Sequence, residues 1–230
     1  MSKRTKEFEK IIDKTKYYAI DEAVEILQKA KKSKFDETVE VHVRLGIDPK
    51  KSEQSVRGTV ALPFGIGKSR KVAVVAKGEK IKEAESAGAD FVGSEELIEK
   101  ISKGWMDFDL LVATPDAMKE LSRLGKILGP KGLMPNPKAG TVTFDLTNTV
   151  KELKSGRVEF KPDEYGIIHL PAGKLSFEKQ KIIENIKTLI ETITKARPHA
   201  FKGNYLLGIS ISSTMGPGLK LNLAQKFSAA

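Results

Sequence analysis

The chain has 230 residues, 40% of them apolar and 7% aromatic, which suits one large buried core or two smaller ones. Its 40 Lys and Arg against 30 Asp and Glu leave a formal charge of +10, pointing to a polyanionic partner bound in a salt-sensitive way. Cysteine is absent, which excludes disulfides, thiolate metal sites and cysteine nucleophiles, and no stretch approaches the ~18 to 20 apolar residues of a membrane span.

The first residues lead into no apolar run, so no secretory signal is expected and a cytoplasmic location follows. Asp21 is the expected N-cap of a helix over 22–32, with Ala23, Val24, Ile26, Leu27 and Ala30 on one face. Val39, Val41, Val43 and Leu45 then alternate with Glu40, His42 and Arg44, the pattern of a half-buried antiparallel strand. A loop through Asp48 and Pro49 leads to a second strand near 56–62.

After Gly67 the pattern changes. The run Val72-Ala73-Val74-Val75-Ala76 predicts a strand covered on both faces, and Leu110-Leu111-Val112-Ala113 a second. Helical stretches at 79–87 and 94–103 flank a short apolar segment at Phe91-Val92. Thr114-Pro115 reads as an N-cap followed by proline at the first helical position, opening a helix toward Leu124, and 147–153 as a last helix. Strand alternating with helix argues for a parallel sheet in a three-layer α/β unit.

Beyond Gly156 the first pattern returns. Val158 and Phe160 alternate with Arg157, Glu159 and Lys161; a turn at Pro162-Asp163-Glu164 follows, and 166–170 is expected to form the partner strand. Ser176 is the expected cap of a long helix with Ile182, Ile183, Ile186, Leu189, Ile190 and Ile193 on one side, ended by Arg197-Pro198. Strands near 205–213 and 219–223 close the chain.

Each flank alone is small for an independent core, and the middle differs in class. The economical organisation is one α+β domain of antiparallel sheet and helices built from both chain ends, 1–67 and 157–230, with an α/β domain, 68–156, inserted at glycine hinges near Gly65-Ile66-Gly67 and Ser155-Gly156. The flanks together carry more than twice the excess of cations found in the middle, which makes them the better RNA candidate.

Among the motifs, Ser212-Ser213-Thr214-Met215-Gly216-Pro217-Gly218 stands out. Its hydroxyls suit ribose 2′-OH groups, its methionine can lie on a sugar or base, and its glycines permit close backbone approach, a combination fit for structured RNA. The same residues also fit a strand end followed by an ordinary turn. The segment 31–38, with Lys31, Lys32 and Lys34 beside Phe35, reads either as a phosphate-and-stacking patch or as a basic helix end with Phe35 in the core. Leu62 to Ser69 nearly matches a phosphate-binding loop, but Leu62 replaces the first glycine and the following residues read as strand, so a glycine hinge is the better reading. The proline- and glycine-rich loop at 128–140 suits an RNA or protein contact or a structural cap on the sheet. His42, His169 and His199 have no metal-ligand spacing, and no nucleophile or acid/base motif occurs; no catalysis, metal or cofactor is expected.

Four separated motifs, taken together, resemble one family: Thr214-Met215-Gly216-Pro217, the stretch from Ser33 through Phe35-Asp36-Glu37-Thr38 to Val41, Arg57-Gly58-Thr59-Val60-Ala61-Leu62-Pro63, and Gly129-Pro130-Lys131-Gly132-Leu133-Met134-Pro135-Asn136-Pro137. The chain is similar, nearly end to end, to the mobile-stalk, rRNA-binding proteins that head the bacterial large-subunit series. The resemblance implies a split β-α-β first domain and a Rossmann-like insert. It further implies binding to large-subunit rRNA at the stalk, a part in release of exit-site tRNA, repression of its own operon through the mRNA, and a monomeric state outside the ribosome. Carried onto this sequence, the RNA surface centres on Ser213, Thr214, Met215 and Gly216, with Lys34, Phe35 and Thr38 adjacent. Gly166 and His169 on a neighbouring hairpin, and Arg157 as a phosphate contact, complete the expected set.

Overall fold

The computed structural model describes residues 8, 12–13, 15–30, 33–198 and 201–222. Lys31, Lys32, His199 and Leu223 lie outside the described residues. The chain divides into two compact units, Met1–Gly67 with Val158–Ala230, and Lys68–Arg157, so Arg157 falls with the middle segment rather than with the flanks.

The first stretch contributes helix α1 (Ile20–Lys29) and strands β1 (Thr38–Leu45) and β2 (Gly58–Ala61). Helix α1 buries Ile20, Ala23, Val24 and Leu27, an i, i+3, i+4, i+7 stripe. Burial of Ile20 starts the helix before Asp21. The extended Ala19 occupies the cap position without a side-chain bond, and Asp21 sits inside the first turn, where its charge favours the positive helix end.

In the second unit, β3 (Val72–Val75), α2 (Lys80–Ser86), β4 (Phe91–Gly93), α3 (Glu95–Ser102), β5 (Leu110–Ala113) and α4 (Leu146–Ser155) follow in order. The three strands form a parallel sheet in the order β4-β3-β5. Ala73, Val75, Leu111 and Ala113 pack on one side with Leu97, Ile101 and Leu121; Val72, Val74 and Val112 pack on the other with Ala84, Leu146 and Val150. Helices on both faces explain the unbroken apolar runs of β3 and β5. The helix expected directly after Thr114-Pro115 is replaced by short helical segments from Met118 to Leu128. The Thr114 hydroxyl is buried and caps nothing; the main chain turns through the Ala117 amide on the Thr114 carbonyl, 3.0 Å.

The returning chain supplies β6 (Arg157–Phe160), β7 (Ile167–Lys174), α5 (Lys179–Lys195), β8 (Leu206–Ser213) and β9 (Gly218–Lys220). A four-stranded sheet forms in the order β7-β1-β8-β9, with β1 antiparallel to both neighbours. Strands β7 and β8, joined through α5, therefore run parallel to each other with β1 between them. The expected pairing of β6 with β7 does not occur: β6 pairs with β2, where Arg57 meets Glu159, and β7 is taken by β1 from Thr38↔Lys174 to Arg44↔Ile167. Asp163 instead closes a turn between them, its amide on the Ile167 carbonyl at 2.8 Å.

Helix α5 covers the inner face of this sheet with Ile182, Ile183, Ile186, Leu189, Ile190 and Ile193, all buried. Each such side chain contributes on the order of 1.5–3 kcal/mol. Asn185 interrupts the stripe as a clamp, donating to the carbonyls of Ala172 (2.7 Å) and Gly65 (3.0 Å). Ser176 does not cap α5: its amide and hydroxyl both donate to the Asp36 carboxylate, at 3.1 and 2.7 Å, and the helix begins after extended Glu178.

Candidate nucleic-acid interface

Strand β8 ends at Ser213, and the chain turns back into β9 through residues 214–217. Beneath this corner lies Glu37, only 2% exposed. Its carboxylate accepts the Ser213 hydroxyl at 2.6 Å and the Met215 amide at 3.1 Å. A buried carboxylate is tolerated when charge-assisted donors replace water, and here they lock the turn. Ser213 is thus buried, 4% exposed, and acts as a support beneath the surface rather than as an exposed contact, which corrects its place in the expected set.

Gly216 is required by space. A Cβ there would stand 2.1 Å from Ser213 Oγ, so the Glu37–Ser213 bond and the bare backbone depend on each other. Thr214 is laced to β1: its amide donates to the Thr38 carbonyl at 3.1 Å, and its hydroxyl accepts the Thr38 amide at 3.0 Å. The Thr38 hydroxyl takes the Lys174 ammonium at 3.0 Å. With the turn so fixed, Met215 stands 46% exposed and Phe35, just before β1, 51% exposed. Lys34 is exposed beside Phe35.

The outer sheet face continues from this corner. Because β1 points Val39, Val41, Val43 and Leu45 inward, Thr38, Glu40, His42 and Arg44 face outward. His42 pairs with His169 across β1 and β7, Nδ1 to Nδ1 at 2.8 Å, and its Nε2 meets the Ser212 hydroxyl at 3.0 Å. His169 Nε2 meets Asp163 Oδ2 at 3.4 Å. Burial, and then the neighbouring His169, push the His42 pKa down. The result is a polar face with an aromatic, a thioether and lysines at one corner, a form suited to sugar edges and phosphate.

Residues 27–217 match the model of the Ribosomal protein L1p/L10e family. The chain is also 54% identical, over 221 residues and 96% of each chain, to the large ribosomal subunit protein uL1 of Kosmotoga olearia. The chain belongs to the Ribosomal protein L1p/L10e family. As a member it is a structural component of the cytoplasmic ribosome that binds rRNA, and not an enzyme.

In this L1p/L10e family member the remaining expected residues take different places. His169 is exposed on the outer face, whereas Gly166 is buried at the β7 start, with φ of +76° and its carbonyl on the Leu45 amide. Gly166 shapes the turn that Asp163 holds, and no β6–β7 hairpin carries either residue. Arg157 belongs to the second unit; its guanidinium pairs with Glu152 at 2.8 Å, lies against Gly140 and is 18% exposed, a poor position for a phosphate contact. The near-phosphate loop forms no cradle, because Lys68 pairs with Asp109 at 2.8 Å and the chain runs into β3. In the 128–140 loop, Leu133 and Met134 pack on the core and the Asn136 amide is tied to Thr141, which favours the cap reading.

Residues that the sequence did not single out are Glu37, which reads as one acid among many, and His42, which looks like an alternation partner of a strand, while Ser212 was named only as part of the Ser212–Gly218 motif. Their signal was positional: Ser212 lies two residues before Thr214, on the same side of β8 as Ser210, and so shares the outer face with His42.

Proposed function

We propose that the flank-built unit is the RNA-reading domain, with a split β-α-β core, and that the middle unit is a Rossmann-like insert. The observation that supports this reading is the Thr214–Gly216 corner. It is held from below by Glu37 and Ser213, leaves Met215 and Phe35 outward, and adjoins a polar sheet face. Thr214, Met215, Gly216, Thr38, Phe35, Lys34 and His169 form the contact surface for large-subunit rRNA at the mobile stalk. Hydroxyls and backbone read ribose and shape, while lysines supply sequence-independent attraction.

From this position the protein takes part in release of exit-site tRNA, and by binding a similar fold in the mRNA of its own operon it represses translation. It is a monomer outside the ribosome. The test is a competition, at fixed salt, between an rRNA hairpin from the stalk and the leader of its operon mRNA. Both should displace one another from the wild type, and both should bind Met215→Asp about two orders of magnitude more weakly. An mRNA that fails to compete would remove the repressor role while leaving the ribosomal one.

A further inference from the structure

Asp163, His169, His42 and Ser212 form one hydrogen-bonded row across a turn and strands β7, β1 and β8. We propose that this row fixes the Ser212 hydroxyl as an outward acceptor, so that the sheet face demands a donor, the ribose 2′-OH, at that point. The proposal rests on the RNA reading above and adds to it a residue that selects the sugar.

With both imidazoles neutral, the direction of every bond follows from its first member. Asp163 Oδ1 accepts the amides of Ile167 (2.8 Å) and Tyr165 (2.9 Å), and its Oδ2 faces His169. The Ile167 amide above all holds the carboxyl below its usual range, so it is ionised and can only accept. His169 therefore carries its proton on Nε2, and its Nδ1 is a lone pair. The 2.8 Å contact between the two Nδ1 atoms needs one proton, which His42 must supply. His42 Nε2 is then a lone pair and takes the proton of Ser212. Serine has one proton and two lone pairs, so only lone pairs remain for the solvent side. A 2′-OH can donate to them; a 2′-deoxy or 2′-fluoro sugar cannot.

Asp163→Asn isolates the effect. The asparagine oxygen can keep both turn amides while its NH₂ replaces Oδ2, and this reverses each bond in the row until Ser212 points its proton outward. Two measurements on the full chain test this. Long-range ¹⁵N correlation of the imidazoles near neutral pH, without RNA, should show His169 protonated at Nε2 and His42 at Nδ1, and the opposite tautomers in Asp163→Asn.

The stalk rRNA hairpin carrying single 2′-fluoro substitutions should lose about tenfold in affinity for the wild type at one ribose, the scale of one hydrogen bond. That loss should shrink below about twofold in Ser212→Ala and in Asp163→Asn. Reversed tautomers in the wild type, a fluorine penalty at no ribose, or a penalty that persists in Ser212→Ala would each overturn the row while the unmodified hairpin still binds. Failure of the unmodified hairpin to bind would take down the RNA reading with it.

Discussion

The Glu37 carboxylate holds the Met215 amide at 3.1 Å although 178 residues separate them in sequence. One buried acid at the start of β1 thus sets the height and direction of a thioether on the far end of β8. Removing it leaves the Ser213 hydroxyl and the Met215 amide without their acceptor, at about 1–3 kcal/mol for each such buried group. Glu37→Ala should lower unfolding free energy by about 2 kcal/mol or more and weaken binding to the stalk hairpin. Denaturant melts beside binding isotherms check this, and unchanged stability would show that the acid is not structural.

Gly216→Ala drives a methyl into Ser213 Oγ. It should weaken RNA binding by distorting the corner, with a stability loss of about 1–3 kcal/mol typical of overpacking. In the double variant with Ser213→Ala the opposing oxygen is gone. Stability should partly recover, so a double-mutant cycle should give a coupling energy of opposite sign to the single losses.

Met215 is half exposed, so Met215→Asp should leave the thermal midpoint within a few degrees of wild type. Binding should nevertheless fall by about two orders of magnitude, from a lost apolar contact plus a carboxylate set against phosphate. Lys34→Ala, by contrast, should weaken binding only modestly and reduce the slope of log affinity against log salt by about one. Titrations at several salt concentrations separate the two behaviours.

His42 carries a pKa depressed by burial first and by His169 second, with Glu40 opposing. Arg44 on β1, His169 and Lys174 on β7, Asp163 in its turn and Lys220 opposite Ser210 on β9 are the other charged and titratable groups on that face. The folded chain therefore binds fewer protons here than the unfolded chain at pH just below 6.5. The resulting stability is fully present above that pH and is lost as pH falls through the folded pKa. Replacing His42 by Gln should flatten this part of the stability–pH curve, as denaturant midpoints between pH 7 and 5 would show.

Much of the fold was legible because patterning reports burial. The alternation of Val39, Val41 and Val43 and the unbroken Val72–Ala76 run both match what their sheets require. Caps were less legible: Ser176 has the right chemistry for a cap, but Asp36, 140 positions away, claims it first. Strand partners were hidden for the same reason, since nothing local to 157–170 reveals that β1 and β2 compete for β7 and β6. At the candidate site, residue types left Phe35 open between a surface patch and the core, and the burial of Ser213 was not legible at all. Whether a hydroxyl faces water or a buried carboxylate depends on a contact 176 residues distant.

That β1 is flanked by β7 and β8 has a consequence for biosynthesis. Both edges of β1 stay bare while the ribosome makes more than a hundred further residues, and the middle unit, Lys68–Arg157, is complete in sequence before either partner strand is made. A nascent chain stalled before β8 would have no Thr214 corner to offer. Only a chain that has emerged beyond β8 can present this corner, so fragments that end earlier lack it by topology alone.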